Sequence, residues 1–260
     1  MSPFVLRRVK EDVVADLPEK IEDTVMAQLT GEQRKLYLAN QDRIAQQVQH
    51  REAGEFKKDK LKVLAELTKL RQICCDPRLH YEDYKAGSAK LDTCMELVHG
   101  ALDGGHRILL FSQFTGMLDI IGKRLAKEDI AFLKLTGASS KESRAKMVAQ
   151  FQAGEVPVFL ISLKAGGVGL NLTAADVVIH YDPWWNVAAQ DQATDRAHRI
   201  GQQHTVTVYK LIAKDTIEER IMQMQESKRD LVNSVLGGDG ISSALFTRED
   251  VLALLGGDGR

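Results

Sequence analysis

The sequence predicts an α/β domain, built on a parallel β-sheet that helices cover on both faces, with a helical segment ahead of it. From residue 88 onward, short runs of Val, Ile, Leu and Phe alternate with amphipathic helix patterns. Strands of a parallel sheet read as continuous apolar runs because both faces of the sheet are buried. Residues 30–75 contain no proline and are rich in Lys, Glu, Gln and Leu, which favours helix.

Two long helices are predicted in the segment ahead of the sheet. Thr30 and Gln33 match the spacing of the capping box that begins helices, and a break is expected near Ala53-Gly54. The second helix ends at Asp76-Pro77, since the residue before a proline disfavours helical backbone. It carries a basic run: Lys57, Lys58, Lys60, Lys62, Lys69 and Arg71. A solvated charged face is the favoured interpretation of that run, and a DNA-facing surface is the alternative.

The strands of the α/β domain are predicted from their apolar runs. They cover residues 107–111, 131–135, 158–162, 177–181 and 205–211, with helices over 115–128 and 140–152. The last strand alternates with period two and is expected to close one side of the sheet. Thr216 and Glu219 match a second capping box, so a helix is predicted to follow and to pack back on the domain.

Composition excludes several classes of protein. The 260 residues are 44% hydrophobic and 27% charged, which is typical of a folded protein and not of a disordered or collagen-like one. Thirty-five Lys and Arg balance 36 Asp and Glu, so nucleic-acid binding would need basic residues concentrated on one surface. The odd count of three cysteines, with no signal-peptide pattern and no apolar run of roughly 18 residues, predicts a reducing intracellular location and no membrane.

Two arginines are the first candidates for chemistry. Gln192, Arg196 and Arg199 are spaced i, i+4 and i+7 on a predicted helix and would share one face. A guanidinium group matches phosphate oxygens, so two of them could clamp a polyphosphate or complete the active site of another domain. The alternative is a surface ion-pair network, because Asp191 and Asp195 are close in sequence.

A glycine-rich loop over 162–171 follows a predicted buried strand, at the edge where parallel sheets bind ligands. Gly167 and Gly169 would let the backbone approach a ligand and offer free amides to an anion, whereas a purely structural turn is the alternative.

Complete nucleotide-binding signatures are missing from the sequence. Gly122-Lys123 is followed by Arg124 where a phosphate-binding loop needs Ser or Thr. The dinucleotide fingerprint fails at Leu172, and no Asp-Glu-x-His box for magnesium is present. The sequence therefore predicts half of an active site, with phosphate-clamping arginines but no triphosphate cradle.

The segment 192–202, Gln-Ala-Thr-Asp-Arg-Ala-His-Arg-Ile-Gly-Gln, resembles the sixth helicase motif of Swi/Snf-type ATPases of helicase superfamily two. Asp182-Pro183-Trp184-Trp185-Asn186 precedes it, the glycine loop is similar to the fifth motif, and 108–114 is similar to the fourth. Further similar segments are 4–10 with 17–20, the 135–137 turn with Arg144 and Phe151, and 70–77. The resemblance covers residues 3–236. Val187 departs from it, since the family has proline there, and we expect function to be retained.

The resemblance implies a RecA-like three-layer lobe with an inserted helical protrusion and a C-terminal brace helix. It divides the chain into a linker from a missing first lobe (1–29), the protrusion (30–87), the second lobe with its brace helix (88–236) and a tail (237–260). Because the linker signature begins at Pro3, we expect the first lobe to precede this chain in a longer protein.

The resemblance also implies a reaction and a site. Such proteins bind duplex DNA across two lobes, hydrolyse ATP in the cleft and translocate without separating the strands. Arg196 and Arg199 would reach the γ-phosphate and Gln192 would orient them, with Asp195, Gly167 and Gly169 also at the nucleotide. The implied DNA contacts are Ser112, Gln113, Thr136, Gly137, Ser162, Lys164, Trp184 and Trp185. His198 is expected to be a structural hydrogen-bond partner and not a base.

ATP and Mg²⁺ are the implied ligands, held mainly by the first lobe. Double-stranded DNA and the first lobe are the implied partners, with nucleosomes or RNA polymerase complexes as candidate targets, in the nucleoid or cytoplasm of a prokaryote or the nucleus of a eukaryote. Two alternatives stay open: a stand-alone DNA- or protein-binding module without ATPase activity, and an unrelated nucleotide-sugar or methyl-transfer enzyme.

Overall fold

A computed structural model of the chain contains a six-stranded, all-parallel β-sheet with the strand order β1-β6-β5-β2-β4-β3. The structure describes residues 17–50, 53–166, 169–184, 187–225 and 247–256. The strands are β1 (Lys20–Gln28), β2 (Ile108–Ser112), β3 (Phe132–Leu135), β4 (Val158–Ser162), β5 (Val177–His180) and β6 (Val206–Lys214). The helices are α1 (Gly31–Gln49), α2 (Ala53–Cys75), α3 (Ala89–Asp103), α4 (Thr115–Lys127), α5 (Lys141–Gln152), α6 (Leu163–Gly166), α7 (Val187–Thr194), α8 (217–225) and α9 (Arg248–Leu254).

The centre of the sheet is buried on both faces, as its apolar sequence predicts. Every residue of β2, β4 and β5 is buried. Leu110 and Leu160 pack into a core with α3 and α4, whereas Leu109 and Phe159 pack into a second core with Phe151 of α5 and with α7. Helices therefore cover both faces, and the predicted three-layer α/β fold is confirmed.

A third core lies between the helical segment and the end of β6. Helices α1, α2, α8 and α9 contribute apolar side chains to it, including Tyr37, Leu70, Ile217 and Leu254. The predicted break between α1 and α2 is confirmed, since α1 ends at Gln49 and α2 begins at Ala53. No helix in the described part of the chain is both long and apolar enough to cross a membrane.

The capping box predicted at Thr30 does not form. Thr30 precedes α1 with extended backbone, but its side chain makes no capping hydrogen bond. The Gln33 side chain instead donates to the carbonyl oxygens of Ile73 (3.0 Å) and Cys74 (3.3 Å) and accepts from the Ala89 amide (3.1 Å). Gln33 is buried and joins the end of α2 to the start of α3.

The sheet differs from the prediction at one edge. Residues 20–28, assigned to the linker, form β1, which pairs with β6 in the register Lys20 to Val206. The predicted last strand, now β6, is therefore an interior strand and does not close the sheet. Apolar runs in the sequence do not reveal β1, because an exposed edge strand can be largely polar. The predicted continuation of the brace helix α8 to residue 236 lies outside the described residues.

Candidate functional site

The candidate site extends from the carboxyl edge of the sheet, where parallel sheets place their ligand-binding loops, toward the amino edge. The glycine loop follows β4 and the Trp-Trp segment follows β5, both at the carboxyl edge. The turn that carries the two arginines follows α7 and bonds to Pro18 and Ala175, which precede β1 and β5, so it lies toward the amino edge. A hydrogen bond to Leu170 also joins this turn to the glycine loop.

Arg196 and Arg199 lie on an irregular turn, which corrects the predicted helix. Helix α7 ends at Thr194, so Gln192 is helical and exposed while both arginines follow the helix. The Leu172 amide donates to the Arg196 carbonyl at 3.0 Å, a bond that a continuing helix would have used internally. The two arginines therefore do not share a helical face.

Backbone and side-chain contacts fix this turn against the glycine loop. The Arg199 guanidinium donates to the Leu170 carbonyl (3.1 Å), and the Gln202 side chain donates to the Thr173 and Ala175 carbonyls (3.2 and 2.8 Å). Gly201 adopts a φ of +101°, a conformation that favours glycine. The turn and the loop thus form one packed unit.

The two guanidinium groups form a cationic site that is partly withdrawn from water. Arg196 is only 7% exposed. Burial lowers the pKa of Arg196, the charge of Arg199 lowers it further, and the Asp195 carboxylate opposes this shift. Two nearby cations that are partly withdrawn from water are an arrangement that a polyanionic ligand would stabilise.

The glycine loop begins with the short helix α6. The Ala165 amide donates to the Ser162 hydroxyl (3.4 Å), and Arg144 donates to the Ala165 carbonyl (3.2 Å). Gly169 is exposed and has a φ of +40°, so its backbone is open at the surface. Gly167 and the side chain of Lys164 lie outside what the structure describes.

Two serines predicted to contact DNA are buried. Ser112 is fully buried and its hydroxyl donates to the Asp182 carboxylate, while Ser162 is 3% exposed and caps α6. Neither hydroxyl is presented to a surface, so the structure does not fit a direct contact of either one with DNA. Strand ends in a parallel sheet are covered by loops, and single-sequence patterns do not reveal that cover.

Thr136 and Gly137 remain at the surface. Gly137 is exposed, and the Thr136 hydroxyl accepts from the Ala138 amide at 3.3 Å, which shapes the turn after β3. Trp184 is half-buried against the core beside α7, and its carbonyl accepts from Gln225 of α8. Trp185 lies outside the described residues.

Gln113 is held by Arg71, a residue the sequence assigned to a solvated basic run. Arg71 is 2% exposed and donates to the Gln113 side-chain oxygen (3.2 Å) and to the Pro183 carbonyl, with its guanidinium 5.7 Å from the Phe114 ring. The solvated assignment is therefore wrong for Arg71. Arg71 follows the buried Leu67 by one helical turn, and this spacing is the sequence feature that indicates a buried position.

His198 ties the arginine turn to the chain entering β1. Its Nε2 donates to the Pro18 carbonyl at 2.7 Å, so the ring makes a hydrogen bond of the kind that the sequence predicts. The segment 17–19 therefore contacts the same turn that carries Arg196 and Arg199.

The described residues contain no ready-made metal cluster. Among residues 17–50, 53–166, 169–184, 187–225 and 247–256, no group of three or more His, Cys, Asp or Glu side chains could hold a metal ion.

A six-stranded parallel sheet with an arginine turn bonded to its glycine loop is the arrangement of a helicase C-terminal domain, and the comparisons with known proteins agree. A family model described as "Helicase conserved C-terminal domain" matches residues 89–201, and one described as "SNF2-related domain" matches residues 1–79. The solved C-terminal domain of the Sulfolobus solfataricus SWI2/SNF2 ATPase is 32% identical, with a TM-score of 0.74 over 91% of this chain and 98% of that one. The chain belongs to the SWI2/SNF2 ATPase family.

Two further relatives are similar over almost the whole chain. The Sulfolobus solfataricus SWI2/SNF2 ATPase core in complex with dsDNA is 36% identical, with a TM-score of 0.76 over 97% of this chain and 54% of that one. An uncharacterized ATP-dependent helicase of Mycoplasma pneumoniae is 40% identical over 254 residues, which is 97% of this chain and 24% of the relative. The chain thus spans about a quarter of the length of the curated relatives it matches.

Proposed function

We propose that this chain is the second motor lobe of a Swi/Snf-type DNA-dependent ATPase that translocates on double-stranded DNA and remodels protein–DNA complexes. The observation that carries the proposal is the arginine turn, with Arg196 and Arg199 fixed to the glycine loop by backbone and side-chain hydrogen bonds. Membership of the SWI2/SNF2 ATPase family supports it.

In this proposal the lobe completes a nucleotide site and does not contain one. Arg196 and Arg199 approach the γ-phosphate of ATP held by the first lobe and stabilise the charge that develops on it, a role worth about 10³–10⁵ in rate where it has been measured for such arginines. Gly167, Gly169 and Asp195 are the further residues proposed to act at the nucleotide, and Gln192 is exposed on α7. Acidic residues of the first lobe hold Mg²⁺.

The DNA contacts are proposed at the carboxyl edge of the sheet. Thr136, Gly137, Lys164 and Trp185 are the proposed contacts with the phosphate backbone, and the dsDNA complex of the Sulfolobus solfataricus relative supports duplex DNA as the partner. Gln113 shapes the surface from its bond with Arg71. Backbone contacts carry no sequence information, so we expect no base-specific recognition.

The test compares this chain with the whole protein. ATP hydrolysis is measured for each, with and without duplex DNA, after both have been shown to be folded by circular dichroism. The proposal expects no hydrolysis by the chain alone and DNA-stimulated hydrolysis by the whole protein. Hydrolysis by the chain alone would contradict it, and a whole protein that binds DNA without hydrolysing ATP would favour the binding-module alternative.

A further inference from the structure

A single buried glutamine lies at the centre of the arginine turn. Gln202 is 6% exposed, and its side-chain nitrogen donates to three carbonyl oxygens: those of Thr173 (3.2 Å), Ala175 (2.8 Å) and Ala197 (3.1 Å). Its side-chain oxygen accepts from the Gln203 and His204 amides (2.8 and 2.9 Å). Both ends of the side-chain amide are therefore used.

These bonds join the two segments whose relative position determines where the arginines lie. Thr173 and Ala175 belong to the loop between α6 and β5, whereas Ala197 lies between Arg196 and Arg199. The backbone N–H of Gln202 also donates to the Arg199 carbonyl at 3.0 Å. Gln202 thus contacts the backbone on the carboxyl side of Arg196 and again at Arg199.

The helical hydrogen-bond pattern is lost across this turn. Asp195 and His198 still donate four residues back, but the Arg196 amide donates to Ala193 and the Arg199 amide to Ala197, so contacts from outside the turn contribute to its conformation. Gln192, the residue expected from sequence to orient the arginines, is exposed on α7, whereas Gln202 is buried against the turn.

We propose that Gln202 is the positioning residue of this lobe, holding Arg196 and Arg199 in the geometry that ATP hydrolysis requires. The inference rests on the proposed ATPase function. Gln202 acts through the arginines and does not itself touch the nucleotide. Small misplacements of a catalytic group cost large factors in rate, so loss of these bonds should lower kcat much more than it weakens ATP binding.

The test uses the whole protein and two substitutions. Gln202→Glu keeps an acceptor for the Gln203 and His204 amides but removes both N–H donors, and Gln202→Met removes the same donors without adding a charge. Gln203→Ala is the matched control, because Gln203 is exposed and its backbone amide alone contacts Gln202. Steady-state kcat and KM for ATP are measured with saturating duplex DNA, beside the thermal unfolding midpoint.

We expect Gln202→Glu to lower kcat by about 10–100-fold with ATP KM changed by less than about threefold, and Gln203→Ala to match the wild type. On an Arg199→Ala background, Gln202→Glu should add little further loss, because residues that act as one unit are not additive. A lowered unfolding midpoint is expected in either case, whereas a merely structural role would give multiplicative losses. If Gln202→Glu does not fold, Gln202→Met carries the same comparison.

Three results would overturn the inference. The first is a wild-type kcat for Gln202→Glu together with a lowered kcat for Arg199→Ala; this result would leave the proposed function intact. The second is losses that multiply in the double variant. The third is Arg196→Ala and Arg199→Ala both at a wild-type rate, which removes the arginine assignment and the Gln202 inference together.

Discussion

Lys90 and Glu218 form an ion pair with both side chains fully buried and an Nζ to Oε2 distance of 2.5 Å. Glu218 also accepts from the Ala213 amide at 2.9 Å, and Lys90 lies 5.3 Å from the centroid of the Tyr181 ring. The pair connects α3 of the lobe to the brace helix α8. Burial by itself lowers the pKa of Lys90, but Glu218 outweighs it and raises the pKa, so the amine stays charged.

Breaking this pair should destabilise the fold strongly. Lys90→Met leaves the Glu218 carboxylate buried without its cation, which we expect to lower the free energy of unfolding by about 3–5 kcal/mol. Urea unfolding of the purified chain measures the change. The double variant Lys90→Met with Glu218→Leu is the control and should lose less than the single variant; equal or greater loss in the double variant would contradict this explanation.

His180, buried at the end of β5, should make the free energy of unfolding depend on pH between pH 7 and pH 5. Burial lowers the pKa of His180 from 6.5 to about 3, with the Lys210 charge lowering it further and Glu22 opposing. The unfolded state then binds the proton more tightly, so stability is lost as pH falls below about 6.5, by about 2 kcal/mol between pH 7 and pH 5.

Urea unfolding at pH 7 and pH 5 checks this dependence on His180. His180→Gln should lose about 2 kcal/mol less than the wild type between the two pH values. His204→Gln, at an exposed histidine, should leave the wild-type dependence unchanged. A His180→Gln profile as steep as that of the wild type would show that His180 is not the group responsible.

Arg71 should be a structural residue of the site and not part of a DNA-binding face. Arg71→Met leaves the Pro183 carbonyl and the Gln113 side chain without their donor, which we expect to cost about 1–3 kcal/mol of unfolding free energy. Arg71→Lys should not restore it, because an ammonium group cannot bridge both acceptors as the guanidinium fork does. Lys62→Ala, at an exposed lysine of the same basic run on α2, is the control and should stay within about 0.5 kcal/mol of the wild type.

DNA affinity of the whole protein should fall steeply with salt and should not depend on sequence. Each phosphate contact releases a counterion, so a plot of log K against log salt concentration is a straight line whose slope counts the contacts. Lys164→Ala should weaken binding to all duplexes alike and reduce that slope by about one. Fluorescence anisotropy with two duplexes of unrelated sequence measures this; a strong preference for one of them would contradict backbone recognition.

The sequence predicts the sheet better than it predicts the site. Leu109, Leu110 and Phe159 lie in apolar runs that only a buried strand explains, and these strands are found within one residue of the predicted bounds. Helical spacing predicts that Arg196 and Arg199 lie on one helix face. Spacing does not reveal that α7 ends at Thr194 or that the Arg196 carbonyl accepts from the Leu172 amide of the neighbouring loop.

Three further features depend on tertiary contacts that a single sequence does not display. The sequence does not show that the Ser112 hydroxyl is buried and bonded to the Asp182 carboxylate. Residues 20–28 are largely polar, as expected of a linker, and they form a strand through backbone hydrogen bonds to β6. Gln202 has no periodic partner in the sequence, since its acceptors lie at residues 173, 175 and 197.

If Arg196 and Arg199 complete the nucleotide site of another lobe, the rate of ATP hydrolysis must depend on both guanidinium groups. The kcat for ATP hydrolysis by the whole protein is determined at saturating duplex DNA for the wild type, Arg196→Ala and Arg199→Ala. We expect each substitution to lower kcat by about 10³-fold or more while duplex binding is retained. Wild-type kcat in either variant would contradict the role assigned to that arginine, and wild-type kcat in both would refute the claim.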